Sequence, residues 1–293
     1  MKNIVIITGI TSFLGKSLAK YLLSKGFIVC GIVRPISKKI DEIINIKNLN
    51  IIKLDFDNIT NDEFNNLEPI KFEIDEFNNI SKDLSFIHFG WNGTLDRNNF
   101  AKQMTNIDMS IKTLKFAEIL QANRFIFAGS QAEKSKSAYG LAKKQFGNFA
   151  YNKLKNSNMN FIHLRIFSIY GKGDRDNSLI KSLVYAIKHN IEMDLSSCDY
   201  LWNYLFIDDF VNIIYKLIKL DAKTDTYDIA SNDTRLLKDY VIEAHKVLKA
   251  NNILNFGKIP DSVEKFAVPN IDKLLHTIGT YNFTKFEKGI LTI

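Results

Sequence analysis

Tyr139 and Lys143 lie four residues apart at the start of a helical pattern, and their side chains could move a proton. A phenol with a pKa of about 10 is a weak acid at neutral pH, and an ammonium group one helical turn away favours the phenolate. Such a pair can give a proton to a carbonyl oxygen that becomes an alkoxide during reduction. Tyr139 is therefore the predicted proton donor.

The spacing of this pair is not specific by itself. Tyr-x-x-x-Lys also occurs at residues 21/25, 151/155, 215/219 and 281/285. Only the pair at 139/143 follows a predicted strand that ends in a hydroxyl residue, Ser130, and lies downstream of a glycine-containing turn suited to a dinucleotide. Context therefore selects this pair.

The elements that must position these residues alternate between apolar strand patterns and amphipathic helix patterns, which favours a parallel sheet covered on both faces. The predicted strands are residues 3–8, 27–33, 50–54, 84–89, 124–128, 160–167 and 204–207. The predicted helices are residues 14–25, 99–120, 138–154, 177–189 and 208–220. We predict a nucleotide-binding domain over 1–170 and a smaller, mixed lobe over 171–293, from which about 204–230 returns to the first domain.

The turn after the first strand reads Thr-Gly-Ile-Thr-Ser-Phe-Leu-Gly and leads directly into a helix. Gly9 permits a tight turn, Gly15 permits close packing of the helix on the sheet, and helix N-terminal amides suit a pyrophosphate. Ser12 occupies the position of the middle glycine of the usual fingerprint. The pattern predicts a Rossmann-like, doubly wound α/β fold with a dinucleotide site at this turn.

The end of the second strand distinguishes the two nicotinamide cofactors, because a carboxylate there binds a ribose hydroxyl whereas a cation accommodates a 2′-phosphate. Arg34 stands at this position, Lys38 and Lys39 follow, and the first acidic residue is Asp41. A guanidinium matches a phosphate well. We therefore predict NADP(H) rather than NAD(H), and an exposed loop arginine is the alternative for Arg34.

Composition excludes several other classes. The chain has 293 residues, 46% of them hydrophobic, which suffices for a continuous core. The net charge of +7 comes from lysines interleaved with acidic residues, so a solvated surface is expected rather than a nucleic-acid interface. Cys30 and Cys198 form no disulfide framework or metal-ligand pattern, and no apolar run is long enough to cross a bilayer. We expect a cytoplasmic protein.

Several further segments join the glycine turn in a resemblance that covers nearly the whole chain. They are residues 86–91, Asn106, residues 125–133, 138–143, 164–174 and 202–209. Together they resemble the extended short-chain dehydrogenase/reductase superfamily, in its nucleotide-sugar epimerase/dehydratase branch. Residues 202–209 are similar to a segment of sugar-nucleotide reductases of the CDP-abequose synthase type, with Asn203 where aspartate is usual.

The resemblance implies roles for individual residues. It implies catalysis by Ser130, Tyr139 and Lys143, in which Ser130 hydrogen-bonds the substrate oxygen and Lys143 also holds the nicotinamide ribose. Cofactor contacts are expected from Thr8, Gly9, Thr11, Ser12, Phe13, Leu14, Gly15, Arg34, Asp55, Phe56, Phe89, Gly90, Trp91, Asn106, Tyr139, Lys143, Ile166 and Ser168. Substrate contacts are expected from Trp91, Gln131, Lys172, Arg175, Asn177, Lys181 and Trp202.

The histidines and two departures from the family limit these roles. His88, at the end of a buried strand, is interpreted as a core or cofactor-lining residue, and His163, His189, His245 and His276 lie in no pattern that suggests a partner. The spacing from Ser130 to Tyr139 is shorter than in relatives, and Lys134 replaces a usual Tyr-Gly. Because that loop normally contacts the sugar, the sugar itself is not predicted. Ile166 replaces a usual proline.

The leading hypothesis is an NADPH-dependent reductase of a keto group on a nucleotide-linked sugar, CDP-linked by resemblance, in the synthesis of a surface polysaccharide such as a capsule. Arg34 favours net reduction, since epimerases and dehydratases of the superfamily keep NAD and recycle it. An epimerase with bound NAD is the first alternative. A non-catalytic NADP(H)-binding protein is the second. The family resemblance also implies a homodimer formed through the helix of the Tyr139/Lys143 pair and the long helix before it.

Overall fold

The structure is a computed structural model that describes residues 2–59, 82–261 and 268–293. The chain divides into two compact units. The first consists of Met1–Arg165 and Tyr215–Tyr227, and the second of Ile166–Ile214 and Asp228–Ile293. In the described part of the chain, no helix is both long and apolar enough to cross a membrane.

A seven-stranded sheet has the order β10-β6-β5-β4-β1-β2-β3. Its strands are β1 (Lys2–Thr8), β2 (Ile28–Val33), β3 (Leu49–Lys53), β4 (Lys82–His88), β5 (Arg124–Ser130), β6 (Asn160–Ile166) and β10 (Asp225–Ile229). β1 pairs in parallel with both β2 and β4, so the strand order reverses beside β1. Such a switch point opens a crevice at the carboxyl ends of the strands. The predicted Rossmann-like α/β fold is confirmed.

Three helices of the first unit begin at side-chain caps. They are α1 (Phe13–Ser24), α2 (Phe100–Ile119) and α3 (Ala138–Leu154). Their N-caps are Ser12, Asn99 and Ser137, and each of these side chains accepts a hydrogen bond from a backbone N–H in the first turn. α1 ends before Gly26, which adopts φ +78° as a helix C-terminal glycine does. All three helices lie within two residues of their predicted ends.

Aromatic rings form two rows across β4, β5 and β6. In the first row, Phe86 stacks on Phe125 at 5.7 Å and Phe125 stacks on Phe161 at 6.4 Å, measured between ring centroids. The second row, two residues nearer the carboxyl ends of the strands, contains His88, Phe127 and His163, with centroid distances of 6.0 and 5.3 Å. The core of the first unit therefore extends as far as the carboxyl ends of these strands, where the predicted catalytic residues lie.

The second unit contains small sheets and short helices. Its strands are β7 (Ser168–Tyr170), β8 (Met193–Asp194), β9 (Leu201–Phe206), β11 (Thr234–Leu236) and β12 (Leu254–Asn255). Its helices are α4 (Leu179–Lys188), α5 (Ile207–Lys219), α6 (Leu237–Val247), α7 (Asp272–Ile278) and α8 (Phe286–Ile290), and α5 continues into the first unit. β9 lies between β7 and β11, and β8 pairs with β12.

Asn203 explains one difference from the predicted strand at 204–207, which in the structure spans Leu201–Phe206. Its side chain is buried, so a polar residue interrupts the apolar pattern inside the strand. Its Oδ1 accepts the Ser231 N–H at 3.0 Å, and its Nδ2 donates to the carbonyl oxygens of Ser231 and Asp233, both at 3.0 Å. Aspartate, which has no donor when ionised, could not make the last two bonds. Asparagine at position 203 therefore matches the hydrogen-bond acceptors and donor around it, which aspartate would not.

Candidate functional site

The Tyr139/Lys143 pair lies in the first two turns of α3. The Ser137 hydroxyl starts the helix by accepting the Gly140 N–H at 3.2 Å. Tyr139 is 9% exposed and Lys143 is 3% exposed, so both polar side chains face inwards. A lysine is rarely so buried unless its ammonium has partners.

The Lys143 amine has partners on two neighbouring elements. Its Nζ donates to the carbonyl oxygen of Ala128 on β5 at 2.5 Å and lies 4.0 Å from the centroid of the Trp91 ring. Burial lowers the pKa of the Lys143 ammonium to about 7, while the Glu133 carboxylate raises it. The group therefore changes charge near neutral pH, as many catalytic lysines do.

Tyr139 is fixed through both its backbone and its ring. Its N–H donates to the carbonyl oxygen of Arg97 at 2.8 Å, and the Trp91 ring meets its ring edge-to-face at 6.2 Å. The Arg97 guanidinium carbon lies 5.4 Å from the ring centroid, and the Lys143 Nζ lies 5.7 Å from it. Two cations thus lie near the Tyr139 ring, and the sequence analysis had singled out only Lys143.

Ser130 ends β5 and caps the 3₁₀ turn Gln131–Lys134. Its Oγ accepts the Ala132 N–H at 3.2 Å, and Glu133 Oε1 accepts the Ser130 N–H at 2.8 Å. A Cβ added at Gly140 would lie 1.9 Å from the Ala132 carbonyl oxygen, so α3 packs backbone-to-backbone on this turn. The short spacing between Ser130 and Tyr139 thus forms a compact turn that holds both residues at one strand end.

The glycine turn after β1 fits a dinucleotide. Gly9 adopts φ +68°, and a Cβ there would lie 2.7 Å from the Gly90 nitrogen. A Cβ at Gly15 would lie 2.4 Å from the Gly9 carbonyl oxygen. The first turn of α1 carries no acidic residue, so its amides meet no competing negative charge. The Ser12 hydroxyl accepts the Gly15 N–H at 3.1 Å and keeps its own proton for another acceptor.

His88 connects the two strands beside this turn and is buried, as predicted. Its Nε2 lies 3.0 Å from Ser110 Oγ, which donates its own proton to the Asn106 carbonyl oxygen. His88 Nε2 must therefore carry the proton, and Nδ1 accepts from the Thr8 hydroxyl at 2.7 Å. Burial, with the Lys143 charge, lowers the pKa of His88 to about 3. His88 is therefore a neutral structural residue.

Two buried amides on α2 hold the loop after β4. Asn106 accepts the Asn92 N–H at 2.7 Å and donates to the carbonyl oxygens of Asn92 and Lys102. Gln103, which the sequence did not single out, accepts from Trp91 Nε1 at 2.8 Å and donates to the loop backbone. Trp91 is therefore fixed beside Lys143. A direct contact of Asn106 with a cofactor stays a prediction.

The other predicted cofactor residues lie at strand ends or in the core. Arg34 is exposed and directly follows β2. The Asp55 carboxylate accepts the Asp57 N–H at 3.1 Å, and the Phe56 ring packs on Phe116 in the core. The Phe89 N–H donates to the Thr8 carbonyl oxygen, and the Gly90 N–H to the Thr8 hydroxyl. Thr11, Phe13 and Leu14 lie in the glycine turn and the start of α1, and Ile166 and Ser168 lie in the second unit.

The predicted substrate residues are divided between the units. Gln131 starts the 3₁₀ turn of the first unit and is half-buried. In the second unit, Lys172, Arg175 and Asn177 are exposed in the segment before α4. Lys181 forms an ion pair with Asp176 at 2.5 Å, and Trp202 meets Tyr200 edge-to-face on β9.

Known proteins with similar chains include sugar-nucleotide enzymes. CDP-abequose synthase from Salmonella typhimurium is 21% identical over 306 residues, which cover 99% of this chain and 97% of that protein. Among solved structures, UDP-glucose 4-epimerase from Thermotoga maritima with UDP-glucose has a TM-score of 0.80 at 16% identity, covering 99% of this chain and 97% of that one. dTDP-glucose 4,6-dehydratase from Bacillus anthracis in complex with NAD has a TM-score of 0.79 at 15% identity, covering 99% and 94%. These two structures share the fold of this chain. The model of the NAD dependent epimerase/dehydratase family matches residues 5–230, and this protein belongs to that family.

Proposed function

We propose that this protein is an NADPH-dependent reductase of a keto group on a nucleotide-linked sugar, and that it acts in the synthesis of a surface polysaccharide. The observation that carries the proposal is the buried Tyr139/Lys143 pair on α3, held against the strand end that presents Ser130. The similarity to CDP-abequose synthase over nearly the whole chain makes a CDP-linked keto sugar the first substrate to test.

The proposed residues have separate tasks. The Tyr139 phenol donates a proton to the carbonyl oxygen, where negative charge develops. The Lys143 ammonium and the Arg97 guanidinium, which both lie near that ring, favour the phenolate left behind. The Ser130 hydroxyl donates a hydrogen bond to the same substrate oxygen. The nicotinamide supplies the hydride when bound, and Thr8, Gly9, Ser12, Gly15 and the start of α1 would hold its dinucleotide.

Arg34 supports NADPH as the cofactor. It is exposed directly after β2, where a fold of this type meets the adenosine ribose. Arg34→Asp should weaken NADPH more than NADH, because the carboxylate repels a 2′-phosphate and can accept bonds from ribose hydroxyls. We expect the ratio of the two Michaelis constants to shift about tenfold or more towards NADH. Lys20→Asp, the same charge change on an exposed residue of α1, is the matched control. An unchanged ratio would mean that the phosphate is bound elsewhere.

The substrate diphosphate is proposed to meet cations of the second unit. Lys172 and Arg175 are exposed in the segment before α4, and Lys181 is already paired with Asp176. Gln131, Trp91, Asn177 and Trp202 are proposed to contact the sugar or base.

The experiment that tests the function combines binding and turnover. Calorimetry would compare NADPH with NAD on the purified protein, and single-turnover NADPH oxidation would follow with a panel of keto-sugar nucleotides that includes CDP-linked ones. We expect tighter NADPH binding and oxidation with at least one substrate. Tight NAD binding with no net consumption would instead indicate an epimerase, which membership of the NAD dependent epimerase/dehydratase family makes the second candidate.

A cytoplasmic homodimer is the proposed working form. Both cysteines are buried free thiols, which suits a reducing compartment. Apolar side chains are exposed on the two neighbouring helices of the first unit, with Phe100 and Ile111 on α2 and Leu141 and Phe149 on α3. Burying these side chains against a second copy would stabilise the dimer. Light scattering should give about twice 33.6 kDa, and the mass of one chain would contradict the dimer.

A further inference from the structure

Glu133 and His163 form a buried pair directly behind the active-site serine. Glu133 Oε1 accepts the Ser130 N–H at 2.8 Å and lies 3.0 Å from His163 Nε2. The two side chains are 6% and 7% exposed. A carboxylate is rarely so buried unless its oxygens are hydrogen-bonded, and here one oxygen serves both the catalytic strand and a residue of β6.

Two glycines make room for this pair. A Cβ at Gly129 on β5 would lie 2.2 Å from Glu133 Oε1 and 2.3 Å from His163 Nε2. A Cβ at Gly147 inside α3 would lie 2.5 Å from His163 Cε1. Glycine within a helix or strand costs about 1 kcal/mol relative to alanine. β5 and α3 therefore each carry a destabilising glycine at the point where this pair packs. Apolar side chains at the positions of Glu133 and His163 would need neither glycine.

Glu133 and Lys143 both bind the end of β5: Lys143 Nζ donates to the Ala128 carbonyl oxygen, and Glu133 Oε1 accepts the N–H of Ser130, two residues further along the strand. Among the described residues, the titratable and charged groups around Lys143 are Glu133 from the 3₁₀ turn, with His163 behind it, His88 from β4, Tyr139 from its own helix and, near the Tyr139 ring, Arg97. His88 is neutral. Glu133 is the group that raises the pKa of Lys143 against the effect of burial.

We propose that Glu133, held in place by His163, is a positioning residue that fixes the backbone of Ser130 and stabilises the Lys143 ammonium. The inference rests on the proposed function, because Ser130 and Lys143 matter in this way only if they take part in carbonyl reduction. The Glu133 carboxylate thus has two roles: its position fixes Ser130, and its charge stabilises the Lys143 ammonium. The substitutions Glu133→Gln and Glu133→Asp separate these roles.

Glu133→Gln keeps the shape and an oxygen acceptor for the Ser130 N–H but removes the charge. Lys143 is charged below its pKa, so lowering that pKa makes it lose its charge at a lower pH. We expect the Lys143 titration to move down by about one pH unit from its value near 7. The high-pH fall of kcat/KM should move in the same direction. NMR of lysine labelled at the ε-carbon measures this titration without any substrate, with Lys143 assigned through Lys143→Arg.

Glu133→Asp keeps the charge but shortens the side chain, so the Ser130 contact is weakened. We expect kcat to fall about tenfold or more, with the Lys143 titration within a few tenths of a unit of wild type. The matched control is Asp228→Asn, which neutralises a buried carboxylate that accepts a backbone N–H, from Asn270 at 3.0 Å in the second unit. This control should leave both titration and pH profile unchanged.

The outcomes separate the inference from the proposed function. A Lys143 titration that Glu133→Gln leaves in place, or that Glu133→Asp lowers equally, would overturn the role of the Glu133 charge. If Glu133→Gln shifts the NMR titration but no keto-sugar nucleotide is reduced, the charge role stands and the reductase proposal fails. If Glu133→Gln does not fold, Glu133→Asp decides the proposal. A carboxylate that only stabilises the fold predicts no loss of kcat in a folded Glu133→Asp variant, so an unchanged kcat would contradict the positioning role.

Discussion

Tyr139→Phe is expected to lower kcat by about a thousandfold, within the range that a general acid contributes. The variant keeps the ring that packs against Trp91 and lies near Arg97 and Lys143, and removes only the hydroxyl. The affinity for NADPH should therefore change little. Single-turnover NADPH oxidation gives the rate, and calorimetry gives the dissociation constant.

Tyr151→Phe is the matched control for this variant. Tyr151 lies on the same helix and is also followed four residues later by a lysine, but it is 43% exposed. The control should keep wild-type turnover. If Tyr139→Phe also keeps it, Tyr139 has no part in proton transfer, and a loss of NADPH affinity would place the hydroxyl in cofactor binding instead.

Gly9→Ala is expected to weaken NADPH binding by about a hundredfold, which corresponds to about 2.7 kcal/mol. The residue adopts φ +68°, and the new Cβ would lie 2.7 Å from the Gly90 nitrogen and 2.8 Å from the Phe89 carbonyl carbon. Both neighbours are backbone atoms at the end of β4, so the glycine turn itself must shift. Calorimetry with NADPH measures the loss, and thermal unfolding should show a lower Tm as well.

Gly26→Ala is the control that separates backbone strain at positive φ from steric crowding of the new Cβ in Gly9→Ala. Gly26 has a similar φ of +78°, but a Cβ there would meet no atom within 4 Å. It should lower the Tm by the conformational penalty alone and leave the NADPH dissociation constant unchanged. Equal affinities of the two variants would show that the close approach at Gly9 does not shape the cofactor turn.

The sequence predicted six of the seven strands of the large sheet, its main helices and the place of the Tyr139/Lys143 pair on a helix, because these depend on local patterns. It did not predict the seventh strand, β10. In the structure, Ser12 and Ser137 cap the N-termini of α1 and α3, so a local signal in the sequence marks the start of each helix. The helix that carries Tyr139 and Lys143 matches its predicted bounds of 138–154. The choice among five Tyr-x-x-x-Lys pairs required only the order of strand, turn and helix along the chain.

Other parts of the site depend on contacts between distant residues, which no local pattern reveals. Glu133 and His163 are thirty residues apart, and in the sequence His163 lies in a predicted strand with no pattern that suggests a partner. Gln103 had the pattern of an ordinary polar position on a long helix, yet it is fully buried and its side chain accepts a hydrogen bond from Trp91 Nε1. Gly147 was a faint signal, because a glycine inside a helix needs a packing reason.

The room that Gly129 and Gly147 leave for His163 also constrains how this chain can evolve. One nucleotide change can remove the histidine, but once either glycine has acquired a side chain, the histidine could no longer return to its place beside Glu133. Loss of the histidine followed by substitution of a glycine is therefore a sequence of changes that a single mutation cannot reverse. Among homologous sequences, histidine at position 163 should covary with glycine at both 129 and 147, and lineages with alanine there should show a smaller residue in its place.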